Sequence, residues 1–255
     1  MTENAGRAFG QNVDKYQDFR PRPPGEVFDV IVKAVGQRRL HAVDLGAGTG
    51  HATAPLVPRF EKVTAVEVDP VMAETLAGIG QNLEVIVSPA EEASFVDGSL
   101  DLVTAAMSFH WMDRDLVAEK VSNWLRPGGL FALYGYGPLK FPEAPLLHDL
   151  IENEKHTCWT HFFPHEVRKI PHEEILAKVP VFSLTVEHVP HFVPMTPEEL
   201  TGHMASTSTG GAWARSTGDV TGYWDDFLAR LKALDMTWPT RVDFSKEIIL
   251  ARKKD

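Results

Sequence analysis

The sequence has little cysteine and no long apolar run. Cys158 is the only cysteine among the 255 residues, so no disulfide can form within the chain. A lone cysteine suits a reducing compartment, and we expect the protein in the cytoplasm. No run approaches the ~20 apolar residues of a membrane-spanning helix, and no apolar leader precedes a cleavage site. These absences argue against a disulfide scaffold and predict a protein that does not enter the membrane.

Positive charge is also scarce. The chain has 25 Lys and Arg against 35 Asp and Glu, for a formal net charge of −10. No dense basic stripe is present, and the cluster Arg252, Lys253 and Lys254 is short. Proteins bind nucleic acid chiefly through Lys and Arg, so we expect no nucleic-acid partner. The sequence also has no internal repeat and no low-complexity segment, which favours a single domain over residues 1–255.

Apolar runs and helical spacings alternate through the first half of the chain. Five runs predict buried strands, at residues 41–46, 62–69, 83–88, 100–109 and 130–137. The intervening residues have helical spacing, which predicts helices at 49–59, 70–79 and 113–125. Strands that alternate with helices in this way are typical of a parallel sheet with helices on both faces. The sequence therefore predicts an α/β fold.

The alternation stops after Gly137. Prolines follow, and eight of the eleven histidines lie between His148 and His203. Residues 181–189 and 241–252 predict two further strands, and the polar–apolar alternation of the second suits an antiparallel position. Residues 196–206 begin with Thr196 and Pro197, a signature of a helix start. We therefore predict a mostly parallel seven-stranded sheet with an inserted helical cap.

Three alternating glycines follow the first strand, in "AVDLGAGTGHAT" (residues 42–53). Gly46, Gly48 and Gly50 would let the backbone approach a ligand at the carboxyl edge of the sheet. The dinucleotide pattern G-x-G-x-x-G needs a glycine where this chain has His51, and no Gly-Lys-Ser/Thr follows to make a P-loop. A nicotinamide-dependent oxidoreductase is thus an alternative that the loop disfavours.

The second strand ends with an acid, Glu67. A carboxylate at this place can accept two hydrogen bonds from the vicinal hydroxyls of a ribose, and it would repel a ribose 2′-phosphate. The glycine loop and Glu67 together predict a ribose-containing cofactor.

Several motifs in one order resemble the class I S-adenosylmethionine-dependent methyltransferases. They are "VDLGAGTG", "VTAVEVD", "SPAEEASFVDGSLDLVTAAMSFHW" and "LRPGG", within residues 1–137. The opening "AFGQNVDKYQDFRPRPP" is similar to the entry segment of a subgroup that includes trans-aconitate methyltransferase-like enzymes, although proline replaces its second tyrosine. The resemblance implies a Rossmann-like fold and S-adenosylmethionine as the cofactor.

The resemblance also implies which residues bind this cofactor. Asp44 would hold the glycine loop or the methionine amino group, and Glu67 the ribose. Val68 and Met72 would flank the adenine, whose edge would meet the residues after the third strand, where Pro89 replaces a frequent aspartate. The full implied set is Tyr16, Arg20, Asp44, Gly46, Gly48, Gly50, Glu67, Val68, Met72, Ala90, Glu91 and Met107.

Tyr16 and Arg20 belong to an N-terminal segment, residues 1–24, that we expect to act as a lid, with Arg20 near the carboxylate of the cofactor. The predicted division then continues with a cofactor-binding core at 25–137. Cap elements follow at 138–180 and 190–225, and the final strands lie at 181–189 and 241–252.

The methyl acceptor should lie above the carboxyl ends of the fourth and fifth strands. His110, just after the fourth strand, is the candidate catalytic residue because it could take a proton from the acceptor or orient it. A carboxylate acceptor would need no base. The predicted acceptor-lining residues are His110, Trp111, Tyr136, Trp159, His161, Met204 and Trp213.

His161 and His165 would share a face of a helix, but no Cys or acid aligns with them, so we predict no metal site. The expected function is methyl transfer to a small molecule, on oxygen first and nitrogen next, with carbon also open. A module that binds S-adenosylmethionine without catalysis is a further alternative. The acceptor and the oligomeric state are left open.

Overall fold

Seven strands form one sheet in the computed structural model, which describes residues 18–159 and 171–255. The spatial order of the sheet is β3-β2-β1-β4-β5-β9-β6, and β1 to β5 are parallel. β9 runs antiparallel to both β5 and β6, while β7 and β8 form a separate two-stranded sheet. The strands are β1 His41–Leu45, β2 Lys62–Glu67, β3 Leu83–Val87, β4 Leu100–Ala106, β5 Leu125–Gly135, β6 Phe182–Val189, β7 Phe192–Met195, β8 Thr240–Asp243 and β9 Lys246–Lys253. The predicted mostly parallel, seven-stranded α/β fold is confirmed.

Helices cover both faces of this sheet. One face packs against α1, and the other against α4 and α6. The central strands β1, β2 and β4 are therefore buried almost throughout, which is why most of their residues are apolar on both faces. The helices are α1 Gly25–Val35, α2 Thr53–Leu56, α3 Pro70–Glu74, α4 Arg114–Trp124, α5 Pro145–Thr157, α6 His172–Ala177, α7 Pro197–Ala205, α8 Ser208–Ser216 and α9 Val220–Lys232.

A third apolar cluster forms the core of a cap. It joins α5, α7, α8 and α9 with β7 and β8. The helix start predicted at Thr196 is present as a capping box, in which the Thr196 hydroxyl accepts from the Glu199 amide and the Glu199 carboxylate accepts from the Thr196 amide. No helix in the described ranges has both the length and the apolar character needed to cross a bilayer.

Three predicted elements are clearly shorter in the structure. The helix expected at 70–79 ends at Glu74, after which the chain continues in turns. The helix expected at 49–59 is a turn followed by α2 and a 3-10 turn, Val57–Arg59, since Pro58 has no amide hydrogen with which to continue the helix. The strand expected at 100–109 ends at Ala106, because Met107 has a left-handed φ of 53°.

The strand expected at 241–252 is divided in two. β8 and β9 are separated by Phe244 and Ser245, where the Asp243 carboxylate accepts a hydrogen bond from the Ser245 amide at 2.8 Å. Such a side-chain bond turns the backbone and competes with a sheet ladder. The break places Lys246 at the start of β9, at the same edge of the sheet where the parallel strands end.

Candidate active site

The glycine loop lies at the carboxyl end of β1 and is anchored to β2. The amides of Gly46 and Ala47 donate to the Val66 carbonyl at 2.8 and 3.1 Å. A Cβ on Gly46 would lie 2.6 Å from the Ser108 Cβ, and one on Gly50 would lie 2.6 Å from the Ile79 Cδ1. Side chains of the protein itself therefore pack closely on both glycines, and both have a left-handed φ that favours glycine.

Gly48 differs from its neighbours. It has a left-handed φ of 56°, yet a Cβ there would meet only the Met72 sulfur, at 4.0 Å. The middle of the loop therefore presents open backbone at the sheet edge. A small residue at this place leaves room for a ligand to approach the main chain.

Glu67 joins the end of β2 to this loop. Its Oε2 accepts from the Gly48 amide at 2.7 Å, and its Oε1 accepts from the Asp69 amide at 3.0 Å. The side chain is buried, and burial raises the pKa of the carboxyl group above its ordinary value, although both amide bonds act against that rise. Each carboxylate oxygen keeps a further lone pair, so the group can still accept from ribose hydroxyls.

Asp44 lies beneath the loop with no exposed surface. Its carboxylate accepts from the hydroxyls of Thr53 at 2.7 Å and Thr104 at 2.8 Å. Burial raises the pKa of Asp44 to about 6. Of the two roles predicted for Asp44, these contacts fit support of the loop, because they tie β1 to β4 and to α2. Direct contact with a methionine amino group would need the strand end to open.

Thr49 and His51, in the same loop, are relevant to the predicted cofactor site. The Thr49 hydroxyl is buried without a hydrogen-bond partner among the described residues. Burial, and then the charges of Arg22 and Arg20, lower the pKa of His51 to about 4. The orphaned Thr49 hydroxyl and the nearby charge of Arg22 suit the carboxylate of an amino-acid moiety. Together with the open backbone at Gly48 and the acid Glu67, this donor set fits S-adenosylmethionine.

The residues expected around the adenine follow the ends of β2 and β3. Val68 is half-buried, and Met72 is buried with its sulfur toward Gly48. Ala90 is buried in the core on the α4 face. The Glu91 Oε1 accepts from the Asp113 amide at 2.7 Å, at the start of α4. Glu91 therefore already fixes one neighbouring loop, and its role toward the adenine stays a prediction.

The chain turns sharply after β4. Met107 is the one non-glycine residue with a left-handed φ in the described ranges, and its amide donates to the Tyr134 carbonyl at 3.0 Å. Its sulfur would lie 2.6 Å from a Cβ on Gly135. Ser108 then donates to the Leu45 carbonyl at 2.7 Å, beside the glycine loop. An unusual backbone held from several sides is typical of a functional site.

His110 follows in a 3-10 turn, Phe109–Trp111, and is buried. Its ring lies 5.1 Å from the Trp111 ring and is stacked on the His172 ring at 6.4 Å. His172 begins α6, so His110 lies between the end of β4 and that helix. Trp111 is half-buried beside it. The predicted catalytic role of His110 stays a prediction.

Arg20 connects the N-terminal segment to the end of β5 and to the cap. It donates to the Tyr136 hydroxyl at 2.6 Å, and to the hydroxyl and carbonyl of Ser206 at 2.9 and 3.1 Å. The adjacent Phe19 ring lies on Gly202, where a Cβ would be 2.4 Å from the ring. Tyr16 lies outside the described residues.

Two further residues lie beside the cluster of Arg20, Tyr136 and Ser206, and the sequence did not suggest either of them. His203 on α7 is buried and lies 6.3 Å from the Tyr136 ring. Burial, followed by the charge of Arg20, lowers its pKa to about 3. The Lys246 ammonium lies 4.2 Å from the centroid of the Tyr136 ring. The sequence shows Lys246 within a polar–apolar alternation, but only the fold places it beside Tyr136.

The remaining predicted acceptor residues lie in the cap. Trp159 is buried and donates to the Tyr223 hydroxyl at 2.9 Å, and Met204 is buried in the same core. Trp213 is half-buried at its margin. These contacts give the three side chains a packing role, and contact with the acceptor stays a prediction. His161 and His165 lie outside the described residues.

Residues 43–133 match a family described as a methyltransferase domain. An uncharacterised methyltransferase of Mycobacterium tuberculosis strain H37Rv is 37% identical over 126 residues, covering 49% of this chain and 51% of that protein. The malonyl-acyl-carrier-protein O-methyltransferase of Dechloromonas aromatica is 30% identical over 155 residues, covering 60% and 58%.

A solved structure described as a type II methyltransferase from Anaeromyxobacter dehalogenans is similar over nearly the whole fold. It has a TM-score of 0.67 at 25% identity, and the match covers 92% of this chain and 98% of that one. The curated relatives match less completely, since the chain spans about half the length of the first of them.

Proposed function

We propose that this chain, which belongs to the class I S-adenosylmethionine-dependent methyltransferases, transfers a methyl group to an oxygen of a small-molecule acceptor. Nitrogen is the second candidate atom. The observation that carries the proposal is the contact between the buried Glu67 carboxylate and the open glycine loop. This arrangement offers acceptors to a ribose and leaves room at Gly48 for the remainder of the cofactor to approach the main chain.

S-adenosylmethionine supplies a methyl group already activated on a sulfonium. The protein therefore needs to align the acceptor and exclude water rather than generate a strong nucleophile. In this chain the glycine loop, Thr49 and Glu67 would hold the cofactor, and Asp44 would keep the loop in place. Arg20 and the cap residues around it would cover the acceptor side. The predicted lid role of residues 1–24 is part of this proposal.

Oxygen is preferred for two reasons. The Dechloromonas relative is named an O-methyltransferase, although it matches only in part. The Arg20 and Lys246 side chains around Tyr136 also provide cations, which suit an acceptor with anionic oxygens. The similarity to trans-aconitate methyltransferase-like enzymes remains a prediction from the N-terminal motif.

His110 is the proposed catalytic residue, as the base or the orienting group for the acceptor. Its ring is buried and lies 5.1 Å from the Trp111 ring and 6.4 Å from the His172 ring. His110→Gln should lower kcat at least tenfold while affinity for S-adenosylhomocysteine changes less than threefold. His148→Gln, at an exposed position of α5, is the control. Unchanged kcat in His110→Gln would remove this role.

The proposal is tested first by calorimetry and then by turnover. The protein should bind S-adenosylhomocysteine and show negligible binding of NAD. A panel of hydroxyl, carboxyl and amino acceptors should then be scored by release of S-adenosylhomocysteine. Tight binding of NAD without any binding of S-adenosylhomocysteine would overturn the cofactor assignment. Cofactor binding without turnover on any acceptor would favour the alternative of a non-catalytic module.

A further inference from the structure

Lys246 is a buried lysine that has no counterion among the described residues. Its side chain is 3% exposed, yet no described residue forms an ion pair with its ammonium or accepts a hydrogen bond from it. The ammonium instead lies over two aromatic rings, 4.2 Å from the centroid of Tyr136 and 5.8 Å from that of Phe244. Buried charges are usually paired, because leaving water is costly. Two ring faces offset only part of that cost.

A second cation lies close to the first. Arg20 donates to the hydroxyl of the same Tyr136 whose ring lies beneath Lys246, so the tyrosine contacts both cations. Burial, and after it the charge of Arg20, lowers the pKa of Lys246 to about 7, while Asp243 opposes that change only weakly as the last of the three causes. The Asp243 carboxylate itself bonds to the Ser245 amide. No described acid is therefore paired with the Lys246 ammonium, and a bound anion would favour its charged form.

The cluster lies on the acceptor side of the sheet edge. Tyr136 directly follows β5, and Lys246 begins β9, which pairs with β5 through Gly135 and Glu247. Gly135 in turn contacts Met107 at the end of β4. The glycine loop lies beyond β4, at the end of β1. The two cations are thus separated from the predicted ribose site by the strand whose end should face the acceptor.

We propose that Lys246 and Arg20 bind an oxyanion of the methyl acceptor, a carboxylate or a phosphate group. This inference rests on the proposed function and adds the chemical class of the acceptor to it. A bound oxyanion supplies the missing counterion, and the Tyr136 hydroxyl lies within the same cluster. A neutral acceptor would leave Lys246 without a partner. The two oxyanions are distinguished by the experiment.

The test uses the full chain saturated with S-adenosylhomocysteine. Calorimetry measures the affinity for succinate, for inorganic phosphate and for the neutral analogue succinamide. We expect millimolar or tighter binding of succinate or phosphate and no binding of succinamide. Lys246→Met should lower the affinity for the anion at least tenfold, whereas Lys246→Arg should change it less than threefold. Lys140→Met, at an exposed position, should leave that affinity unchanged.

A second measurement separates binding from a packing role. Without ligand, Lys246→Met should melt at the same or a higher temperature, because a buried unpaired charge is removed. Affinity for S-adenosylhomocysteine should change less than twofold. Absence of anion binding to the wild type, equal binding of succinamide, or equal anion affinity in Lys246→Met would each overturn the proposal.

A parallel loss of S-adenosylhomocysteine affinity in Lys246→Met would also overturn it, since Lys246 would then serve the cofactor. Should Lys246→Met fail to fold, the succinamide comparison on the wild type still decides the matter. Failure of the proposed function looks different, because S-adenosylhomocysteine itself would not bind.

Discussion

The Gly48 amide donates a hydrogen bond of 2.7 Å to the Glu67 Oε2, so the glycine loop and the end of β2 are one unit. The second oxygen of the same carboxylate holds the Asp69 amide, and Asp69 caps α3. The proposed ribose acceptor is therefore fixed from both sides before any ligand arrives. Such preorganisation reduces what binding must spend on ordering side chains.

Replacement of Glu67 should weaken cofactor binding. A hydrogen bond to a charged acceptor contributes about 1.5–3 kcal/mol. We expect Glu67→Ala to lower affinity for S-adenosylhomocysteine at least tenfold by calorimetry. Apo stability should also fall, by ~1–3 kcal/mol, because the Gly48 and Asp69 amides lose their acceptor. Glu84→Gln, an exposed acid on β3, is the control and should bind normally. Unchanged affinity in Glu67→Ala would mean that another residue holds the ribose.

Two loop glycines should respond differently to alanine. Gly50→Ala places a Cβ 2.6 Å from Ile79 and 2.8 Å from Leu76, so it should destabilise the fold by ~1–3 kcal/mol. Gly48→Ala meets open space and costs only about 1 kcal/mol for its left-handed φ. It should instead lower cofactor affinity at least tenfold. Urea denaturation and calorimetry on both variants check the contrast, and equal effects on both properties would contradict it.

Gly202 should control docking of the N-terminal segment. A Cβ at this helical position would meet the Phe19 ring at 2.4 Å, and Arg20 follows Phe19 directly. We expect Gly202→Ala to displace both residues, so that amide exchange at residues 18–22 becomes faster and turnover falls at least fivefold. The fold should stay intact, since alanine favours a helix over glycine. Gly25→Ala, in α1 with open space around it, is the matched control. Exchange rates equal to those of the wild type would show that Phe19 does not depend on this contact.

His203 should make the free energy of unfolding depend on pH. Its folded pKa of about 3 lies below the ordinary value of 6.5, so the folded state resists a proton that the unfolded state accepts. The resulting stability is complete above pH 6.5 and is lost as the pH falls towards 3. His203→Gln should reduce the slope of unfolding free energy by up to ~1.4 kcal/mol per pH unit between pH 6 and 4.

Urea denaturation at several pH values measures that slope, and the comparison is between each variant and the wild type. His148→Gln, at an exposed position, serves as the control. A His203→Gln slope that equals the wild-type slope would show that His203 takes up its proton without cost.

Features set by neighbours in the chain could be predicted from the sequence. The strands β1, β2 and β4 are mostly apolar because both of their faces are covered, and this pattern can be recognised from the chain alone. The capping box at Thr196 is equally local. The positions of Glu67 and the glycine loop followed from the order of strands in a parallel sheet. The sequence by itself therefore determined the fold class, the family resemblance and the candidate cofactor site.

The cluster on the proposed acceptor side could be recognised only in the tertiary structure. Arg20, Tyr136, His203 and Lys246 are far apart in the chain and meet because β9 enters the sheet beside β5 and α7 lies above that edge. Periodicity shows that a residue is part of a strand, but burial of a charge depends on what the other elements place around it. A lysine at the start of a strand is ordinarily solvated, and here the rings of Tyr136 and Phe244 enclose it.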